Sequence, residues 1–143
     1  MACPYFEPLT LRPACAPGSG SAMLPLGDAW AGVCHAVPSE PWEPDEAALR
    51  IHCNLGYARG ECARFPLDGG PDAVRFAIAR DEGACISVSY VVERDHHPFA
   101  HGSIEYSRTG ETFVSPPASE IFGRQARAYL ASYLRRMAEA SKR

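Results

Sequence analysis

The chain has 143 residues, 46% of them apolar and 22% charged, which is the size and composition of one soluble globular domain with a core of its own. Its formal net charge of −3 gives no general attraction to nucleic acid or an anionic membrane. No apolar run approaches the roughly 20 residues that span a bilayer, so a transmembrane helix is excluded as well.

The opening MACPYFEPLTLRP is interrupted by prolines and lacks a basic stretch followed by an apolar one, so no secretory signal is expected. A cytoplasmic setting follows, where thiols stay reduced and six cysteines are better read as metal ligands or small hydrophobes than as a disulfide framework. Ten of the thirteen prolines precede residue 72, and each removes a backbone donor and biases its predecessor away from helix. Residues 1–66 are therefore expected to be mostly loop and turn, with APGSGS at 16–21 a mobile stretch. One helix is predicted inside this half. Pro44, Asp45 and Glu46 start it, Ala47, Ala48, Leu49 and Ile51 form its body, and Asn54 and Gly56 stop it. Cys53 then falls in its last turn. The segment 67–72, LDGGPD, reads as a surface loop joining the halves 1–66 and 67–143 of a single domain.

The second half alternates with period two. Val74, Phe76 and Ile78 predict one strand, and Ile86, Val88, Tyr90 and Val92 a second after the turn Asp81-Glu82-Gly83. A loop at 95–99 leads to a third strand at 103–107, and 111–114 offers a short fourth. After Pro116-Pro117, Ile121, Phe122, Ala126, Tyr129, Leu130, Tyr133, Leu134 and Met137 form an apolar stripe at helical spacing, capped near Ala118 or Ser119. The expected fold class is α+β: a three- to four-stranded antiparallel sheet with a long C-terminal helix on one face. The irregular Cys/Pro-rich N-terminal half would wrap around a metal centre. The basic helix end, Arg135, Arg136, Lys142 and Arg143, complements the helix dipole.

The candidate ligands are Cys3, Cys34, Cys53 and Cys62, all in the half that has least regular structure to hold it. Thiolate suits iron–sulfur clusters and structural zinc alike. No pair forms a Cys-x-x-Cys knuckle, which weighs against a small zinc module and removes a thioredoxin-like motif. A cubane cluster needs only four thiolates converging from separate loops. Pro4 beside Cys3 leaves no competing donor, and Gly32 before Cys34 permits close backbone approach. Between Cys53 and Cys62, NLGYARGE carries two glycines that could turn N–H groups toward a central anion, with Arg59 adding charge. Tyr5, Phe6, Trp30, Trp42 and Tyr57 would supply aromatic cover. Cys15, His35 or His52 could replace one ligand. Cys85, on a strand with Ser87 and Ser89, reads as a half-buried structural thiol.

Asp95, His96, His97 and His101 crowd one predicted loop and could hold a metal or act as bases, although neighbours in an extended segment point opposite ways. Nothing resembles a phosphate-binding loop, a dinucleotide fingerprint or a nucleophile elbow. The leading expectation is a small iron–sulfur protein with one [4Fe–4S] cluster on the four cysteines. It would serve as an electron carrier or as an accessory subunit of a redox enzyme, with a redox or scaffold protein as partner, rather than as an enzyme itself. The alternatives are a zinc-stabilised interaction module and an enzyme built on the His96/His97/His101 loop.

Overall fold

In the computed structural model, residues 1–12, 24–67, 69–115, 117 and 119–141 are described. Cys15, the APGSGS run, Lys142 and Arg143 lie outside them, so the expectations placed there are not addressed. The fold is α+β, with a four-stranded antiparallel sheet and a long C-terminal helix.

The sheet is a meander of β3 (Ala73–Asp81), β4 (Cys85–Arg94), β5 (His97–Ser107) and β6 (Thr112–Phe113). Its alternation is the one read from the sequence: Val74, Phe76, Ile86 and Val88 are buried, while Arg75 and Ala77 face out. At the β3–β4 turn, Gly83 donates to Asp81 Oδ1 at 3.0 Å. The expected loop at 95–99 is corrected to a turn of two residues. Asp95 and His96 both take left-handed backbone (φ 51° and 63°), which matches the twist of a tight hairpin, and β5 resumes at His97. Phe99 is the bulged residue where the register shifts between Val92 and Glu93, so Pro98 sits at an irregularity that tolerates it.

Helix α2 (Glu120–Ala140) starts at Ser119, whose hydroxyl accepts from the Phe122 N–H at 3.1 Å. Phe122 and Tyr129 meet Phe76 with ring centroids 5.5 and 5.8 Å apart, and Phe122 meets Tyr90 edge-on at 4.8 Å. This is the predicted sheet-facing stripe, except that Met137 is 46% exposed. A second buried stripe was not anticipated. Gln125, Ala128 and Ser132 are buried; Gln125 and Ser132 turn to the N-terminal half, where Gln125 Nε2 donates to the carbonyls of Cys3 (2.7 Å) and Phe6 (2.8 Å). The basic residues Arg135 and Arg136 are not merely solvated: both pair with Asp28.

The N-terminal half contains more regular structure than its prolines suggest. Strand β1 (Phe6–Leu11) pairs antiparallel with β2 (Trp30–Cys34), with Phe6 opposite Cys34 and Pro8 opposite Gly32. Ala2 makes an isolated bridge to Val74 with hydrogen bonds of 2.7 and 2.8 Å, tying the chain start to β3. The predicted helix is present but short. Asp45 caps it by accepting from the Ala48 N–H at 2.8 Å, and α1 (Glu46–Ala48) widens into a π-helical turn, Leu49–Cys53. Buried Asn54 holds that turn to β2, accepting from the Trp30 N–H and donating to the carbonyls of Trp30 and Leu49 at 2.9–3.0 Å.

Candidate functional site

All four candidate cysteines are positioned by backbone hydrogen bonds. The Cys3 N–H donates to the Cys53 carbonyl at 3.1 Å, which joins the chain start to the π-helical turn. Cys34 ends β2 and exchanges two hydrogen bonds with Trp42, at 2.7 and 3.0 Å. Cys62 lies in the turn that follows, its N–H donating to Ala58 O at 2.8 Å and its carbonyl accepting from Phe65 N–H at 3.1 Å. Cys3, Cys34 and Cys53 are only 6–7% exposed, while Cys62 is half-buried against the same core.

Two of the thiols are shifted, by burial first and by neighbouring thiols second. Burial pushes the Cys3 thiol up to about 12; the Tyr5 N–H opposes this, and the charges of Cys34 and Cys62 add to the rise. The Cys53 thiol is likewise pushed up to about 12, by burial first and then by Cys3, Cys34 and Cys62. Such repulsion is felt over short distances, so all four sulfurs share one neighbourhood. Among the described residues, no group of three or more His, Cys, Asp or Glu forms an arrangement that could hold a metal ion.

Two sulfurs already receive backbone donors. The Ala36 N–H donates to Cys34 Sγ at 3.5 Å, and the Tyr5 N–H does the same for Cys3. Each donor is the second residue after its cysteine. An N–H aimed at sulfur favours thiolate over thiol, and Pro4, having no N–H, makes Tyr5 the first donor available after Cys3. This pairing was not anticipated from the sequence.

The segment 56–61 behaves otherwise than expected. Gly56 and Gly60 do take left-handed backbone (φ 75° and 83°), but the N–H groups of Gly56, Tyr57, Glu61 and Cys62 donate to the carbonyls of His52, Asp72 and, for the last two, Ala58. Arg59 serves the loop rather than the sulfurs: its guanidinium reaches Asp72 at 2.6 Å and the carbonyls of Pro66 and Gly70 at 3.0 and 3.1 Å. Tyr57 gives its hydroxyl to Glu93 and stacks on His96 at 4.2 Å, so it is no cover for the thiols. Tyr5 packs edge-on against Phe65 at 5.4 Å, and Arg64 lies 5.1 Å over the Trp42 ring.

Asp72 gives the loop a measurable pH response. Burial works against its charge, yet the Asp95 N–H (2.7 Å) and Arg59 together hold its carboxyl below the usual range. A carboxyl lowered in the folded state stabilises the fold above its unfolded pKa of about 3.9, and that contribution disappears as pH falls through the lower folded value. Acid unfolding of the Asp72→Asn variant should therefore show a flatter stability profile below about pH 4 than the wild type. Stability at pH 7 should fall by about 2 kcal/mol, read from urea unfolding at each pH.

The remaining candidates do not join the thiols. His35 Nε2 pairs with Glu7 Oε1 at 2.9 Å, and His52 is half-buried on the π-helical turn. His97 and His101 are exposed on β5 opposite Arg94 and Val91. Cys85 Sγ donates to Glu105 Oε2 at 3.5 Å within the sheet, in keeping with a structural thiol. No helix among the described residues is long and apolar enough to cross a membrane. No protein-family model, curated protein or solved structure matches this chain.

Proposed function

We propose that this chain is a small iron–sulfur protein that holds one [4Fe–4S] cluster through Cys3, Cys34, Cys53 and Cys62. It would act as an electron carrier or as an accessory subunit of a redox enzyme, with a redox or scaffold protein as partner. The observation that carries this reading is that the Cys3 and Cys53 thiols, raised first by burial, both feel Cys34 and Cys62, so thiols from separate segments lie near one another. What supports the reading is the chemistry of the donors: all are sulfur, three are buried, and two receive backbone N–H groups of the kind that tune thiolate ligands. Such a cluster supplies one-electron redox chemistry when bound. Four cysteine ligands leave no metal position open, which favours carriage over substrate chemistry. The chain's own part is to exclude water, hold the ligands in place and give up the Cys3 and Cys53 protons on loading, so capture strengthens as pH rises.

Protein purified without oxygen should be brown, with visible absorption that dithionite bleaches. It should contain iron and acid-labile sulfide in equal amounts, about four of each per chain. A colourless protein that releases one zinc per chain would replace this reading with the zinc-stabilised interaction module.

A further inference from the structure

We infer that the joint between the start of α2 and the sheet binds a small, neutral, bicyclic aromatic molecule that carries one hydrogen-bond donor. This goes beyond the reading above and holds whether or not the cysteines carry a cluster. A cavity of about 300 Å³ lies at that joint, walled by Pro4, Pro71, Val92, Ala100, Phe122 and Gln125. Its origin is geometric. Phe122, in the first turn of α2, packs on Phe76 and Tyr90. Val92 and Ala100 are the next inner-face pair along β4 and β5, past the point where the helix begins. Tyr90 leans across β5 instead, its hydroxyl 2.8 Å from where a Cβ on Gly102 would stand. Pro4 and Pro71 are rings with no rotamer freedom to swing into the space.

The walls set the ligand's chemistry. None of the described residues that line the cavity is charged, so an ion would lose its hydration there without a counter-charge. A neutral molecule enters at far lower cost. An apolar cavity of about 150 Å³ takes benzene, so about twice that volume suits two fused rings. One polar group fixes their orientation. Gln125 is 1% exposed, and its Nε2 donates to the carbonyls of Cys3 at 2.7 Å and Phe6 at 2.8 Å. Both amide N–H groups are thereby used, and Oε1 is the atom that remains to meet a ligand. An acceptor at the buried end of an apolar cavity selects a molecule with one N–H or O–H.

The probe is indole, which has two fused rings and one N–H, set against N-methylindole, which lacks the donor. Titrated into the full chain and followed by amide NMR shifts, indole should bind saturably with a Kd on the order of 1 mM or below. The resonances that move should be those of Val92, Ala100, Phe122 and Gln125. N-methylindole should bind about fivefold more weakly, the worth of one net hydrogen bond. Ala100 is exposed at the cavity mouth, so Ala100→Phe fills the space without entering the core and should abolish saturable binding. Ser103→Phe, exposed on the opposite face of β5, should bind indole as the wild type does. Wild-type shifts that fail to saturate or fall elsewhere on the chain overturn the site, as does binding that survives Ala100→Phe. Equal affinities for the two indoles overturn the part given to Gln125 alone.

Discussion

Replacing Cys62 with serine is expected to strip the protein of iron and acid-labile sulfide, to less than about a tenth of the wild-type content, while the apoprotein stays folded. A serine hydroxyl remains protonated at neutral pH and is a hard donor, so it does not replace a soft thiolate. Cys62 is the right member of the set to change because it alone is half-exposed. Serine there removes a ligand without leaving a cavity, and substitutions at such positions usually alter stability by no more than about 0.5 kcal/mol. Loss of cofactor can then be assigned to lost ligation. Cys3→Ser or Cys53→Ser would confound the two, since those side chains belong to the buried core.

The same variant separates the halves of the chain. Metal-binding energy is folding energy for whatever segment the ligands organise. Hydrogen exchange in the Cys62→Ser protein should therefore speed up across residues 1–66, while β3, β4, β5 and α2 keep their protection. Cys85→Ser provides the control, because its thiol is engaged with Glu105. It should load fully. Full iron content in Cys62→Ser would contradict the ligand assignment.

How far this arrangement is legible in the sequence depends on the period of each segment. The meander and α2 are announced by large apolar residues recurring every two or every 3.6 positions, and burial of Val74, Phe76, Ile86, Val88 and Leu130 follows that pattern. The Asp95-His96 turn was overestimated in length because two non-glycine residues adopt left-handed backbone, which composition does not reveal. The second buried stripe of α2 is invisible to a hydrophobicity count, since it consists of Gln125, Ala128 and Ser132. Its value is polar. Gln125 donates at once to two buried carbonyls, those of Cys3 and Phe6, and so fixes the chain start to the helix.

The β1–β2 pair was hidden for a related reason. Proline and glycine read as breakers in one strand at a time, yet Pro8 and Gly32 face each other and make the pairing possible. The four candidate cysteines stand out in the sequence because thiols drawn from remote positions share one turn-rich half. Their backbone donors were not legible. An N–H two residues after a cysteine is a property of conformation, and nothing in the residue types distinguishes Ala36 from any other alanine.

Gly32→Ala carries this logic to its largest structural consequence. A Cβ on Gly32 would lie 1.8 Å from the Glu7 carbonyl oxygen and 2.9 Å from its carbon. The obstacle is backbone, so no rotamer change relieves it; β1 and β2 must separate or slip. Cys34 is two residues along β2 and opposite Phe6, whose carbonyl is fixed by Gln125 along with that of Cys3. Any slip moves the Cys34 sulfur relative to Cys3 and would disturb the proposed ligand set. The variant should lose about 3 kcal/mol of stability, at the upper end for overpacking, and most of its cofactor. Gly60→Ala isolates the effect. That residue has φ 83° and nothing within 4 Å of an added Cβ, so it bears only the left-handed strain of about 1 kcal/mol and should still bind metal. Urea unfolding together with iron content on both variants decides the matter: equal losses in the two would show that the close approach at Gly32 does not hold the ligands in register.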